Sequence, residues 1–460
     1  MTSDDEIAML ADADRRARAW TAGIGRDERR VFPSAESLAR LDGFAEPLPT
    51  VGRPADETIA MLDEIAGAGV VASNDPRYFG YVVGSALPVA AAAERIASAW
   101  DQCASSFDNS PAAHVVETRA GRWVLDALQL PEESAVGFTT SATAGAITAL
   151  TAARRRLLER QGWDVDSWGL AGAPRIRVVI SALAHITVVR ALRVLGFGLD
   201  IIERVPVDEH GRLDATQMPT LDDRTLVVLQ AGEVNTGEFD PFDQVIPAAR
   251  QAGSWVHVDG AFGLWARASR THRHLTSGVD GADSWTTDGH KWLNTPYDSA
   301  MVIVRNAAAL SDAMNSDASY LTGAPDSQKN LTLEFSRRAR GIPVWAALRT
   351  LGTDGVEDLV DTCIAHAQYA AGLLRDSDLT VLNRCVLNQV LVRAESPDET
   401  LAVRERVLRG GRTWFGPAVW QDQPAFRISV SSWRTRRSHM DDLVTELLAH
   451  GSGPMPAPSA

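Results

Sequence analysis

The chain is 460 residues long, 45% apolar and 23% charged, enough for two or three folding units of ~150 residues each. Its formal net charge of −14 argues against a duplex-binding surface or a polybasic membrane anchor, since both depend on excess Lys and Arg. Of the 45 basic residues only Lys291 and Lys329 are lysines, so chemistry that needs a primary amine has two candidates.

The opening MTSDDEIAML is acidic and does not read as a secretory signal, and no apolar run reaches the ~18 residues of a membrane span. Cys103, Cys363 and Cys385 are odd in number and far apart, with neither a disulfide framework nor metal-ligand spacing. The expectation is a cytoplasmic protein that binds small molecules or itself, without a metal site, nucleic acid or membrane.

Residues 1–75 are charged and helix-prone: Asp56 and Glu57 suit a first turn, and Ile59, Leu62 and Ile65 follow at helical spacing. Such a segment needs something else to pack on. From residue 76 apolar runs alternate with helical patterns, and Arg175 to Ser181, Leu199 to Val205, Leu226 to Gln230, Ser254 to Val258, Ser284 to Thr287 and Met301 to Arg305 read as strands. That alternation predicts a mostly parallel sheet with crossover helices, buried on both faces, with an active site beyond the strands' carboxyl ends. The large unit spans 76–343; a smaller α+β unit follows over 344–450, starting with a helix through Trp345, Leu348 and Leu351, and 451–460 reads as a disordered tail.

Several motifs fall at strand ends or helix starts. In GFTTSATAGAITALTAARR, 137–155, small hydroxylated residues precede an Ala-rich helix whose free N–H groups suit a phosphate, aided by Ser141 and Thr143; ordinary N-capping is the plain alternative. His185 follows a strand in ISALAHITVV and could stack on a flat ring, shuttle protons, or be a satisfied core residue. In QAGEVNTGEFDPF, 230–242, Asn235 and Thr236 can hydrogen-bond a phenolic oxygen or the carboxylate of Asp259. Asp259 ends the apolar strand of SWVHVDGAFGLW, where it could keep a ring nitrogen protonated or merely form a turn. In DSWTTDGHKWLN, 283–294, Lys291 beside His290 and Trp292 could be desolvated enough to attack a carbonyl and form a Schiff base; for an arbitrary lysine, a solvated surface position is the commoner reading.

DGHKWLN followed by PYDSA, HVDGAF with its Asp259 thirty-two residues before Lys291, the earlier ALAH, and the later RRARGIPVWAALRTLG and FRISVSSWRT together resemble the group II pyridoxal-phosphate-dependent amino-acid decarboxylases, the family of aromatic amino-acid, histidine, tyrosine and glutamate decarboxylases. The resemblance runs from about Tyr78 to Arg434. It implies an α/β fold of the aminotransferase-like type (fold type I) with a smaller C-terminal α+β domain, and a homodimer with shared active sites in which residues 1–75 wrap the partner. It implies that Lys291 forms the Schiff base with pyridoxal 5′-phosphate, Asp259 pairs with the pyridine nitrogen, and His185 stacks on the ring. Ala142, Thr143 and His290 would hold the phosphate, Ala261 would pack against the ring, and Asn235 would lie on the cofactor's oxygen side. Phe79 and Tyr81 match a segment that lines the substrate pocket in the family, and its apolar character here favours an aromatic or apolar amino acid over glutamate; Arg340 and Arg427 match arginines in family motifs, Arg340 as a candidate substrate contact.

The implied reaction is decarboxylation of an L-amino acid to its amine. The chain departs from the family in one place: the loop LTGAPDSQKNLTLEFS, 321–336, has no tyrosine to return a proton to the carbon that lost CO2. Lys329, Ser327 and His185 are the remaining candidate donors, with solvent exposure the simpler reading for Lys329. Oxidative deamination to an aldehyde, aminotransfer, or a catalytically silent scaffold with this fold are the alternatives.

Overall fold

Short strands, most of them apolar runs followed by helices, assemble into a central seven-stranded sheet. The computed structural model describes residues 2–315 and 327–449. Numbered along the chain, the strands are β1 (Tyr78–Phe79), β2 (Ala135–Thr139), β3 (Arg177–Ser181), β4 (Glu203–Val205), β5 (Thr225–Gln230), β6 (Trp255–Asp259), β7 (Ser284–Asp288), β8 (Ala300–Val304), β9 (Thr380–Val381), β10 (Gln389–Arg393), β11 (Trp414–Trp420) and β12 (Gln423–Ser429). The central sheet has the order β2-β8-β7-β6-β5-β3-β4. The pairings from β7 to β4 are all parallel. Every residue of β5, β6, β7 and β8 is buried, as two covered faces require.

The sheet differs from the sequence expectation in three places. β8 runs antiparallel to both neighbours, because the segment between β7 and β8 contains no crossover helix and brings the chain straight back. Leu199–Ile201 is a 3-10 turn, and only Glu203–Val205 pairs, at the sheet edge against β3. β2 forms an unanticipated edge strand, short and ending directly in the turn that starts the helix Ala142–Arg160. Gly137 in β2 is required by a close approach: a Cβ there would lie 2.2 Å from the Leu331 carbonyl oxygen.

A second sheet, β1-β11-β12-β10-β9, is antiparallel except where β1 joins β11 in parallel. The chain reaches it through Gly341–Arg375, a helical run broken at Gly352, whose φ of 61° only glycine adopts without strain. The N-terminal helices Ser3–Ala22, Ala35–Ala39 and Ala55–Met61 contain no buried residue. Among the described residues no helix is long and apolar enough to cross a membrane. The expected disordered tail, 451–460, lies outside the described residues, as do residues 321–326 of the tyrosine-free loop.

One core residue makes stability depend on pH. His257 lies mid-sheet between Val228 and Ser284, its Nδ1 2.9 Å from Ser284 Oγ and its Nε2 buried without a partner. Burial pushes its pKa down to about 3. Below the unfolded-state value of 6.5 the unfolded chain takes up a proton that the folded chain refuses until about pH 3, so the contribution of neutral His257 is full above pH 6.5 and declines as pH falls. The sensitivity is at most ~1.4 kcal/mol per pH unit. His257→Gln should flatten the fall in urea midpoint between pH 7 and 5; equal slopes in variant and wild type would remove His257 as the cause.

Candidate active site

The carboxyl ends of the parallel strands place the motif residues along one edge of the sheet, where ligands bind in open α/β sheets. Asp259 is the last residue of β6 and Asp288 the last of β7. His185 caps the helix Ile186–Val194 beyond β3, and Ser141 caps Ala142–Arg160 beyond β2 by accepting the Ala144 N–H at 3.3 Å. β2 points the same way as β7, since both run against β8.

Lys291 lies in the turn that follows β7, with Nζ 3.1 Å from Asp288 Oδ2 and its side chain 21% exposed. Asp288 Oδ1 accepts the Ala142 N–H at 2.7 Å and lies 3.7 Å from His290 Nε2. The Ser299 N–H donates to His290 Nδ1 at 3.3 Å, which puts the proton of the neutral ring on Nε2. The ring stacks on Tyr297 with centroids 4.2 Å apart, and burial lowers its pKa. Thr143, the second residue of the helix, lies in the same first turn as Ala142.

Asp259 is buried, and its Oδ1 accepts the Ala261 N–H at 3.2 Å. The Ala261 carbonyl accepts the Asp288 N–H, tying the two strand ends together. His185 is positioned by its own N–H, which donates to Gln230 Oε1 at 3.0 Å, and by Thr187, whose hydroxyl is 2.7 Å from Nδ1. The Thr187 N–H also donates to Nδ1, leaving the ring proton on Nε2. Burial lowers the His185 pKa, Asp259 raises it, and Lys291, then Arg427, lower it. These charges therefore converge on one imidazole.

The structure redirects other expected residues. Asn235 and Thr236 do not bond Asp259: their N–H groups both donate to Glu233 Oε2 at 2.8 Å, because the loop turns back at Gly232 and the buried Glu233 caps it. Arg427, on β12, donates to the Val234 carbonyl at 2.8 Å and to Asn235 Oδ1 at 3.3 Å, linking the second sheet to this loop. Arg340 pairs with Asp298 at 2.9 Å, and its Nη1 is buried without a partner. Phe79 is fully buried in the core, so its ring offers no surface to a substrate, whereas Tyr81 is 55% exposed. The segment that carries them packs on the lysine turn: a Cβ on Gly84 would meet the Lys291 carbonyl oxygen at 2.1 Å. Lys329 is buried, not solvated, its amine 5.3 Å from the Phe335 ring centroid and its N–H donating to the Ser105 carbonyl.

Asp288 is the site residue that sequence reasoning missed. Its signal was available, a carboxylate three residues before the lysine at a strand end, but such a residue also reads as a cap. Among the described residues no group of three or more His, Cys, Asp or Glu could hold a metal ion.

The family profile described as pyridoxal-dependent decarboxylase conserved domain matches residues 44–393. An aromatic-L-amino-acid decarboxylase of Bacillus atrophaeus is 27% identical over 75% of this chain and 72% of its own. Tryptophan decarboxylase 1 of Oryza sativa subsp. japonica is 28% identical over 89% of this chain and 87% of its own. The crystal structure of Oryza sativa TDC with PLP and tryptamine superposes with a TM-score of 0.88 at 22% identity, covering 97% of this chain and 98% of that one.

Proposed function

Because the chain belongs to the pyridoxal-dependent decarboxylase family, we propose that the cluster around Lys291 decarboxylates an L-amino acid to its amine and CO2. The observation that carries the assignment is the placement at the strand ends of the Lys291 amine, 3.1 Å from Asp288, with the helix start of Ala142 on the same carboxylate and Asp259 ending the neighbouring strand. The donor set fits pyridoxal phosphate. A partly exposed amine suits its aldehyde, a buried carboxylate whose second oxygen makes no hydrogen bond among the described residues suits its ring nitrogen, and a helix start beside a neutral imidazole suits its phosphate.

Pyridoxal phosphate, when bound, supplies an electron sink for the electron pair left behind as CO2 departs. Lys291 would hold the aldehyde end, and its amine, 3.1 Å from Asp288, is placed to move a proton. Asp259 keeps a proton at the ring nitrogen, made possible by its burial beside the Ala261 N–H. His185, its backbone held by Gln230 and its ring by Thr187, would cover the ring face. Ala142, Thr143 and His290, with the Ser141 cap, hold the phosphate, and Ala261 packs against the ring. Asn235 orders the loop beside the site through Glu233 and Arg427.

The exposed Tyr81 ring, which packs on Trp414 three residues before the Gly84 that meets the lysine turn, supports an aromatic or apolar substrate. The aromatic specificities in two relatives' names point the same way. The N-terminal helices bury nothing and leave Ile7 and Leu10 exposed, as Ile96 and Trp100 are on the helix Pro88–Trp100. That unpartnered apolar surface supports a homodimer with shared active sites, and three free cysteines support a cytoplasmic location.

The absence of a tyrosine from residues 321–336 supports one second reading, decarboxylation coupled to oxidative deamination. Products decide. Purified, cofactor-loaded protein given a panel of amino acids should release amine and CO2 in equal amounts; aldehyde with hydrogen peroxide would establish the second reading, and aminotransfer without CO2 would overturn both.

A further inference from the structure

Asp288 does something that a cofactor cradle does not call for: it fills the cradle with an anion of the chain's own. Its side chain is 4% exposed. One carboxylate reaches three of the groups assigned above to the cofactor, the Ala142 N–H at 2.7 Å, the Lys291 amine at 3.1 Å and, more distantly, His290 Nε2 at 3.7 Å. The placement is held from both sides. The Asp288 N–H donates to the Ala261 carbonyl at 2.9 Å, and the Trp265 indole N–H donates to the Asp288 carbonyl at 3.4 Å. The helix lies close to β7 because Gly145 has no side chain; a Cβ there would meet Thr286 Cγ2 at 3.0 Å.

A helix start is a site for negative charge, and a buried carboxylate on its first N–H satisfies it by a strong, charge-assisted bond. Ser141 already occupies the Ala144 N–H. A phosphate brought to the first turn meets the Thr143 N–H and, beside it, an Ala142 N–H that Asp288 already holds, and the two anions repel in a place where water screens little. Loading thus sets the phosphate against the carboxylate for the same helix start.

The geometry points to Asp288 as an internal competitor of the cofactor's phosphate, which holds the affinity for pyridoxal phosphate below what the helix start and His290 would otherwise give. The inference rests on the pyridoxal-phosphate reading of the site. It makes cofactor occupancy responsive to cofactor concentration.

The test is equilibrium binding to cofactor-stripped full-length protein, wild type against Asp288→Asn and Asp288→Ser. Asn is isosteric and keeps an oxygen for the Ala142 N–H; Ser supplies a second neutral variant should Asn fold poorly, with folding checked by near-ultraviolet circular dichroism. Pyridoxal phosphate, followed by tryptophan fluorescence, should bind the neutral variants roughly tenfold or more tightly, as removal of one repelling charge at a helix start implies. Inorganic phosphate should raise their Tm more than that of the wild type. Pyridoxal, which lacks the phosphate, should change Kd by less than the phosphorylated form does. Unchanged or weaker pyridoxal phosphate binding in the folded variants would overturn the competition while leaving the function intact. A wild type that binds no pyridoxal phosphate would instead overturn the function on which the inference rests.

Discussion

Lys291→Ala is expected to abolish decarboxylation, lowering kcat by ~10^3-fold or more, the scale of loss when a covalent catalyst is removed. The chain offers one other lysine, Lys329, and the structure holds it in a different setting, buried over Phe335 beside the Ser105 backbone. Borohydride reduction of the loaded wild type followed by mass spectrometry should add one cofactor mass to the peptide carrying Lys291 and none to the peptide carrying Lys329. In Lys291→Ala the addition should vanish while cofactor is still retained non-covalently by the helix start, His290 and Asp259. Label on Lys329, or turnover within tenfold of wild type, would remove Lys291 from the reaction. Lys291→Arg should be as inactive as the alanine variant, because a guanidinium stays protonated and cannot attack a carbonyl.

Much of this site was legible because a strand buried on both faces needs a continuous apolar run, and the first polar residue after it marks the sheet's carboxyl edge. Asp259 and the lysine turn after β7 stand at such points, and His185 lies in the turn after β3. The antiparallel return of β8 was hidden because an apolar pentapeptide carries no sign of direction. β2 was hidden by its shortness and by the hydroxyl-rich turn that follows. Asn235 faces Arg427 and Glu233 because Gly232 turns the loop and Glu233 caps it, an arrangement set by a side chain 192 positions away that no local pattern announces. Lys329 could be buried only because its short 3-10 turn packs against β2, where Gln328 bonds both the Phe138 N–H and the Val136 carbonyl. Asp288 shows a different limit, since its neighbours in sequence are plain while its partner at the start of a helix 146 residues earlier is not.

Glu117→Ala is expected to destabilise the fold by about 3–5 kcal/mol, the cost of stranding one charge of a buried pair. Glu117, on the helix Pro111–Leu128, and Arg337 are both fully buried. The carboxylate takes a two-pronged bond from the guanidinium, one prong at 3.1 Å from Oε1 to Nη1 and the other from Oε2 to Nη2. The same Oε1 accepts the Gly341 N–H at 2.9 Å, so it also anchors the start of the helix leading to the second sheet. Arg337 has little in reserve, since its Nε is already buried without a partner and its remaining side-chain bond goes to the Arg338 carbonyl. Removing Glu117 therefore leaves a cation that water cannot reach and a helix start without its acceptor. The unfolding midpoint in urea should fall with little change in slope, and the double variant Glu117→Leu/Arg337→Met should recover much of the loss, because a well-packed apolar pair spares both desolvation costs. Recovery would separate charge stranding from mere loss of volume; a double variant no more stable than Glu117→Ala would show that the Gly341 anchor, which neither apolar side chain can replace, carries the larger share.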